Sequence, residues 1–227
     1  MTNSTRVSII ALDGPAASGK STLGRKLADT LGYLFFDTGI MYRAITLIAL
    51  ELDMNLQDEA SITRLAQDTQ IEIRPPSRDD GRAFDIMVGS KDITWDVRRG
   101  DVDANVSVVS AYAGVRKALS DQQRRIGLRG KVVMVGRDIG TVVLPEADLK
   151  IYLDASADER ARRRYDELMA RNEPANYDEI LKKVIERDHI DSTRAVAPLR
   201  AADDAILIDS DKMDVEQVFN KVIALCK

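Results

Sequence analysis

The eight residues Gly14-Pro15-Ala16-Ala17-Ser18-Gly19-Lys20-Ser21 satisfy the spacing G-x-x-x-x-G-K-[ST], between an apolar run ending at Leu12 and a helical stretch beginning near Lys20. No other stretch of the chain constrains the fold as much. Its glycines let the backbone wrap tightly, so that successive N–H groups and the positive end of the following helix face one point. Such a loop needs a strand before it and a helix after it. The rest of the sequence repeats that rhythm. Short β-branched or aromatic runs at Val7 to Leu12, Tyr33 to Phe36, Val132 to Val135, Leu149 to Leu153 and Ala205 to Ile208 alternate with longer helical patterns. They predict an α/β fold with a five-stranded parallel sheet buried on both faces.

The stretch between the second and third runs is too long for one crossover helix. Helical patterns cover Gly39 to Leu52 and Glu59 to Asp68, and then the character changes. Gln70 to Arg74 alternates, Pro75-Pro76-Ser77-Arg78-Asp79-Asp80-Gly81 is turn chemistry, and Ala83 to Val88 is another short apolar run. Together they predict a small antiparallel insertion. Helical pattern returns from about Val102 to Leu128. The segment Ser156 to Arg194 has no strand-like run, is dense in charge and breaks at Asn172-Glu173-Pro174, which reads as a helical hairpin.

Composition narrows the class of partner. Lys and Arg number 33 against 37 Asp and Glu, a net charge of -4, so a nucleic acid polymer is not the expected partner and any anionic ligand must be held by local positive charge. The single cysteine, Cys226, excludes an intramolecular disulfide, and the single histidine, His189, excludes a polyhistidine metal site. The longest apolar runs are far shorter than a membrane span, and Met1 to Arg6 carry no signal-peptide pattern. A cytoplasmic chain with no membrane partner is the expectation.

The glycine-rich loop points to a nucleoside triphosphate. Gly14 through Gly19, with Lys20, Ser21 and Thr22, would cradle the phosphates of ATP, Lys20 reaching the β- and γ-phosphates and Ser21 supplying a hydroxyl to Mg2+. The loop alone does not name the reaction. A guanine-reading Asn-Lys-x-Asp is absent, since Asn220-Lys221 continues into Val222-Ile223, which disfavours a switch GTPase. A motor would need more chain for coupling. A small kinase needs a second anion pocket, and candidate arginines for one lie at strand ends and helix starts. Asp37-Thr38-Gly39-Ile40-Met41-Tyr42-Arg43 follows the second strand, with Thr38 placed to cap a helix and Arg43 one turn in. Gly136-Arg137-Asp138-Ile139-Gly140-Thr141-Val142-Val143 follows the third, at the carboxyl edge where ligands collect in such sheets. Arg187 to Leu199 holds three more conspicuous charges, Arg187, Asp191 and Arg194.

These motifs, with Asp13-Gly14-Pro15 and Arg194-Ala195-Val196-Ala197-Pro198-Leu199, resemble the bacterial cytidylate kinases, a branch of the nucleoside monophosphate kinases, in the right order over nearly the whole chain. The resemblance implies the P-loop nucleoside monophosphate kinase fold, with a core of residues 1–37, 101–155 and 195–227, a monophosphate-binding insertion at 38–100 and a helical lid at 156–194. It implies transfer of phosphate from ATP to CMP or dCMP with magnesium, by a chain expected to be a monomer. Thr38, Arg43 and Arg137 would hold the acceptor phosphate. Ser107, Arg116 and Asp138 would read cytosine, and Arg187, Asp191 and Arg194 would line the sugar and phosphate region. Lys20, Arg137 and Arg194 would act on the transferred group. Cytosine presents an amino donor beside two acceptors, which a carboxylate at Asp138 and a donor fork at Arg116 complement, whereas uracil turns a carbonyl toward Asp138.

The chain departs from the family pattern at Thr38, where serine is common, and at Ile190 and Ser192, where some relatives carry arginine. Arg160, Arg163 and Arg164 share one helical face at i, i+3 and i+4, suiting a lid over the phosphates, with Arg160 and Arg163 the ATP candidates and Arg162 pointing elsewhere. His189 is not needed as a base, because the acceptor is already ionised. Asp13 either orients Lys20 or the magnesium waters, or ends a strand. Two alternatives remain at this point: a small kinase for UMP, AMP or a shikimate-like alcohol, and a nucleotide-dependent regulatory module without transfer activity.

Overall fold

The computed structural model describes residues 7–226, so Met1 to Arg6 lie outside the described residues. Five strands, β1 (Ile9–Asp13), β2 (Leu34–Asp37), β6 (Val132–Val135), β7 (Leu149–Asp154) and β8 (Ile206–Asp209), form one sheet in the order β2-β6-β1-β7-β8, every neighbouring pair parallel. Each foreseen run became one of these strands. β1 and β6 sit centrally and are buried on both faces, which their unbroken apolar sequences require.

Alternation along β1 divides the core. Ala11 packs with Met134, Phe36 and the helices α2 (Gly39–Glu51), α3 (Glu59–Asp68), α4 (Gly100–Ala111) and α5 (Ala113–Gly127) on one face. Ile10 and Leu12 pack with Val133, Val135 and Ile151 against α1 (Lys20–Leu31) and α8 (Val215–Leu225) on the other. The helical pattern from Val102 to Leu128 is thus two helices. Tyr112 interrupts it with extended backbone and donates its hydroxyl to the Leu56 carbonyl at 2.8 Å, and Gly114 lets α5 lie directly on α3, where a Cβ would stand 2.3 Å from Thr63 Cγ2.

The insertion is the small antiparallel sheet expected, β3 (Ile71–Arg74), β4 (Asp85–Val88) and a two-residue β5 (Lys91–Asp92). Buried Arg82 joins its turn to its strands through Asp80, Asp85 and Asp92. Its apolar residues Ile73 and Ile86 belong to the same cluster as the sheet face carrying Ala11. The helical hairpin is α6 (Ala157–Ala170) and α7 (Tyr177–Thr193), capped by Ser156 and Asn176 side chains that accept from the backbone three residues on. Among the described residues no helix is long and apolar enough to cross a membrane.

Candidate active site

The glycine-rich loop leaves β1 at the carboxyl edge of the sheet and enters α1. Gly14 has φ 146°, and a Cβ there would lie 2.1 Å from the Leu153 carbonyl oxygen, so only glycine lets the loop start this close to β7. Lys20 folds back across the loop and donates to the Pro15 carbonyl and, at 3.1 Å, to Ser18 Oγ. Burial, then repulsion from Arg137, holds its pKa well below the usual lysine value. A buried ammonium whose hydrogen-bond acceptors are both neutral suits an anion. At the start of α1, Ser21 Oγ donates to Asp37 Oδ2 at 2.7 Å. A hydroxyl and a carboxylate side by side are the oxygen donors Mg2+ takes when most of its shell is phosphate and water. The residues present therefore fit a magnesium-bound triphosphate. The sequence reading missed Asp37 as a metal candidate, although it stands directly before Thr38 at a strand end.

Around the loop opens a cavity of about 990 Å³. Ala16 to Thr22, Thr38, Arg43, Ser107, Arg116, Arg137, Asp138, Arg163, Arg187 and Arg194 all line it, from elements far apart in sequence. Gly14, Pro15, Arg160 and Asp191 stand behind this lining. Asp103, Val106, Ser110, Met213 and Val215 also line it, and no motif marked them beforehand.

A cluster of arginines at the cavity is built on two buried carboxylates, Asp191 and Asp138. Asp191 accepts from Arg137 Nε at 3.0 Å, Arg187 Nε at 3.2 Å and Arg194 Nη1 at 3.3 Å. Burial pushes its carboxyl up, but the three guanidinium groups outweigh that and hold it below the usual aspartate value. Asp138 accepts from Arg116 Nη2 at 2.6 Å, with Arg194 Nη2 3.7 Å from its other oxygen. Arg116 also lies over the Tyr42 ring, whose hydroxyl pKa burial pushes up to about 12. Arg187 donates to Ser107 Oγ, which brings Ser107 beside the other cluster residues. Arg116 Nε and Arg194 Nη2 are buried donors with no acceptor among the described residues. They are unfinished hydrogen bonds at the wall of a cavity.

One sequence expectation, the cap by Thr38, is corrected, and two further side chains show contacts the sequence did not announce. Thr38 occupies the N-cap position of α2 without capping it: its backbone is helical, and its hydroxyl donates to the Val135 carbonyl at 2.9 Å. Asp37 Oδ1 instead accepts from the Gly39 N–H at 3.0 Å. Asp13 is the last residue of β1, which is one of the two roles first weighed for it. Its two oxygens accept the backbone N–H groups of Ile139 (2.8 Å) and Gly140 (2.7 Å). Arg43 pairs with Asp103 of α4.

On α6, Arg160 is buried, bonded to the Ala155 and Ala16 carbonyls and paired with Asp188 of α7. Arg163 reaches the Ser210 carbonyl at 2.6 Å, while Arg164 pairs with Glu167 at the cavity rim. Arg162 points to solvent, as helical spacing requires. His189, Ile190 and Ser192 are exposed and outside the cavity lining.

A family model described as cytidylate kinase matches residues 10–227. The chain is 50% identical over 216 residues to the cytidylate kinase of Herpetosiphon aurantiacus, covering 95% of this chain and 93% of that one. It is 47% identical to the cytidylate kinase of Carboxydothermus hydrogenoformans, over 95% of this chain and 96% of its relative. Among solved structures, an uncharacterized protein from Eubacterium ventriosum shares the fold at a TM-score of 0.50 and 13% identity, over 96% of this chain and 98% of that chain.

Proposed function

Since the chain belongs to the cytidylate kinase family, we propose that the cavity binds ATP at the glycine-rich loop and CMP or dCMP at the arginine–carboxylate cluster, and that phosphate passes between them. The observation that carries the acceptor site is the pairing of Arg116 with Asp138 at 2.6 Å beside Arg137, Arg187 and Arg194. Four guanidinium groups share two carboxylates there, which leaves positive charge for a phosphate dianion.

Transfer between two phosphates requires two mutually repelling polyanions to be held in line with water excluded. Magnesium, held by Ser21 and Asp37 together with the phosphates, would neutralise charge on the bridging oxygens. Lys20 adds a positive charge at the transferred group, where negative charge spreads over its oxygens. Arg137 and Arg194, which line the cavity with Thr38 and Arg43, would hold the acceptor phosphate against that group. Arg160 and Arg163 tie α6 to the loop through the Ala16 and Ser18 carbonyls and would bring the lid down on the triphosphate. The acceptor oxygen is already ionised, so a general base has no part in the step.

Asp138 and Arg116 would select the base. Asp138 accepts from the cytosine amino group and Arg116 donates to its acceptors, whereas uracil leaves a carbonyl against a buried carboxylate. A regulatory module would have no use for a second phosphate pocket. On this reading residues 38–100 serve the acceptor and 156–194 the lid, and the chain works as a cytoplasmic monomer. The test is ADP release with a panel of CMP, dCMP, UMP, AMP and shikimate. Turnover with CMP and dCMP well above the rest is expected, and equal specificity constants for CMP and UMP would remove the base assignment.

A further inference from the structure

One buried side chain joins the donor loop to the acceptor loop. Asp13 is the last residue of β1, immediately before Gly14, and is only 4% exposed. Its carboxylate accepts from two consecutive backbone N–H groups, Ile139 and Gly140, which open the helical turn directly after Arg137 and Asp138. It lines no part of the cavity. Burying a carboxylate is unfavourable unless its oxygens are needed, and here both are used on backbone.

We propose that Asp13 is a positioning residue for the transfer, holding the 139–140 backbone so that Arg137 and Asp138 keep their place relative to the glycine-rich loop. The proposal rests on the acceptor roles given above to Arg137 and Asp138. The geometry of two adjacent N–H groups calls for two acceptor oxygens on one side chain, which a carboxylate has and an amide lacks. An asparagine at position 13 would satisfy one N–H and turn its own NH2 toward the other. Relaxing that clash rotates the chain at Ile139, one residue from the Asp138 carboxylate that meets Arg116 at 2.6 Å. Small displacements of such groups have large effects, because transfer depends on near-contact alignment. Gly140 keeps the space open. A Cβ there would stand 3.4 Å from Asp13 Oδ2 and 3.2 Å from Lys150 Cδ.

The test compares Asp13→Asn with wild type in the full chain, reading kcat and KM for CMP and UMP and the affinity for magnesium-ADP by titration. The expected result is a loss of about tenfold in kcat/KM for CMP and a narrowed CMP/UMP ratio, with ADP affinity within about twofold of wild type. An unchanged CMP/UMP ratio overturns the proposal, as do equal losses of CMP and ADP binding, which a merely structural strand end predicts. Asp138→Asn measured alongside separates the two levels of argument. If Asp138→Asn narrows the ratio and Asp13→Asn does not, only the positioning role fails; if neither does, the acceptor assignment fails first. Should Asp13→Asn not fold, Gly140→Val, whose branched methyls extend beyond a Cβ already 3.4 Å from Asp13 Oδ2, presses on the same carboxylate. A raised KM for CMP with normal ADP affinity then supports the proposal, and an unchanged KM for CMP refutes it.

Discussion

Replacing Asp138 by asparagine removes a charge that the fold uses and that the proposed substrate would use, and the structure allows the two effects to be separated. Asp138 and its partners Arg116 and Arg194 are each at most 7% exposed at the side chain, so solvent does little to screen them. Removing one partner of such a buried pair outright costs about 3–5 kcal/mol. The amide is milder, because its oxygen still accepts from Arg116 and only the charge assistance is lost, about 1–2 kcal/mol. For a chain of this size that lowers the melting temperature by roughly 2–8 °C. This loss burdens CMP and UMP alike. Substrate adds a second, unequal effect: the cytosine amino group loses about 1–3 kcal/mol of its bond to the carboxylate, while uracil gains an NH2 that can face its carbonyl. The CMP/UMP ratio of specificity constants should therefore narrow by about fivefold or more. ADP-release kinetics with both monophosphates and thermal unfolding, on one preparation, give both numbers. An unchanged ratio would refute the base-reading argument whatever the melting temperature does, and would leave Asp138 as the counterion that keeps Arg116 buried.

Lys20→Ala should abolish transfer, by a factor of 100 or more, while leaving the circular dichroism spectrum unchanged; near-normal turnover in the folded variant would show the loop to be decorative. Asp37→Asn should raise the magnesium concentration needed for half-maximal rate about tenfold with little change in CMP KM, and an unchanged magnesium requirement would leave Ser21 as the protein's metal ligand. Gly114→Ala forces a Cβ to 2.3 Å from Thr63 and should lower stability by about 1–3 kcal/mol in denaturant unfolding, with the CMP/UMP ratio unaffected. Burial pushes the Asp13 carboxyl from 3.8 to about 6 against the pull of the Gly140 and Ile139 N–H groups, with Asp138 adding to the rise and Lys20 opposing it, while Tyr152 packs alongside on β7. The folded chain thus holds this proton more tightly than the unfolded one, so the group's contribution to stability is complete below pH 3.8 and lost as pH rises through about 6. Positioning needs the ionised form, so between pH 7 and 5 the CMP/UMP ratio should fall with no loss of stability from this group; a flat ratio would count against it.

The parallel sheet was legible because its strands are short, unbroken apolar runs and the glycine-rich loop fixes the order of the first strand and helix. What the sequence concealed has local physical causes. The break between α4 and α5 depends on Tyr112 reaching the Leu56 carbonyl, a contact between positions 56 apart that no helical periodicity announces. Thr38 was expected to cap because threonine often does, but the neighbouring strand β6 offers its hydroxyl a nearer acceptor and Asp37 takes the backbone N–H instead. The arginines of the acceptor site were visible as motifs, yet their sharing of Asp138 and Asp191 is a product of folding. Asp103, which meets Arg43, lies in a helix whose sequence carries no motif.

The sharing of carboxylates bears on how such a site tolerates its own charge. Arg116, Arg137, Arg187 and Arg194 would repel one another in a buried space, and the charges of Arg137, Arg187 and Arg194 hold the Asp191 carboxyl below the usual aspartate value despite its burial. Asp191 and Asp138 are both supplied by the chain, so the cluster can fold before any substrate arrives. They do not complete it, because Arg116 Nε and Arg194 Nη2 are buried with no hydrogen-bond acceptor among the described residues. A ligand that brings acceptors to those donors and negative charge to the surplus guanidinium groups relieves both penalties at once. On the proposed reading a monophosphate joined to a base with acceptors on its edge would do so, whereas inorganic phosphate would relieve only the second. On that same reading, such contacts would contribute to holding the nucleotide in line with the glycine-rich loop.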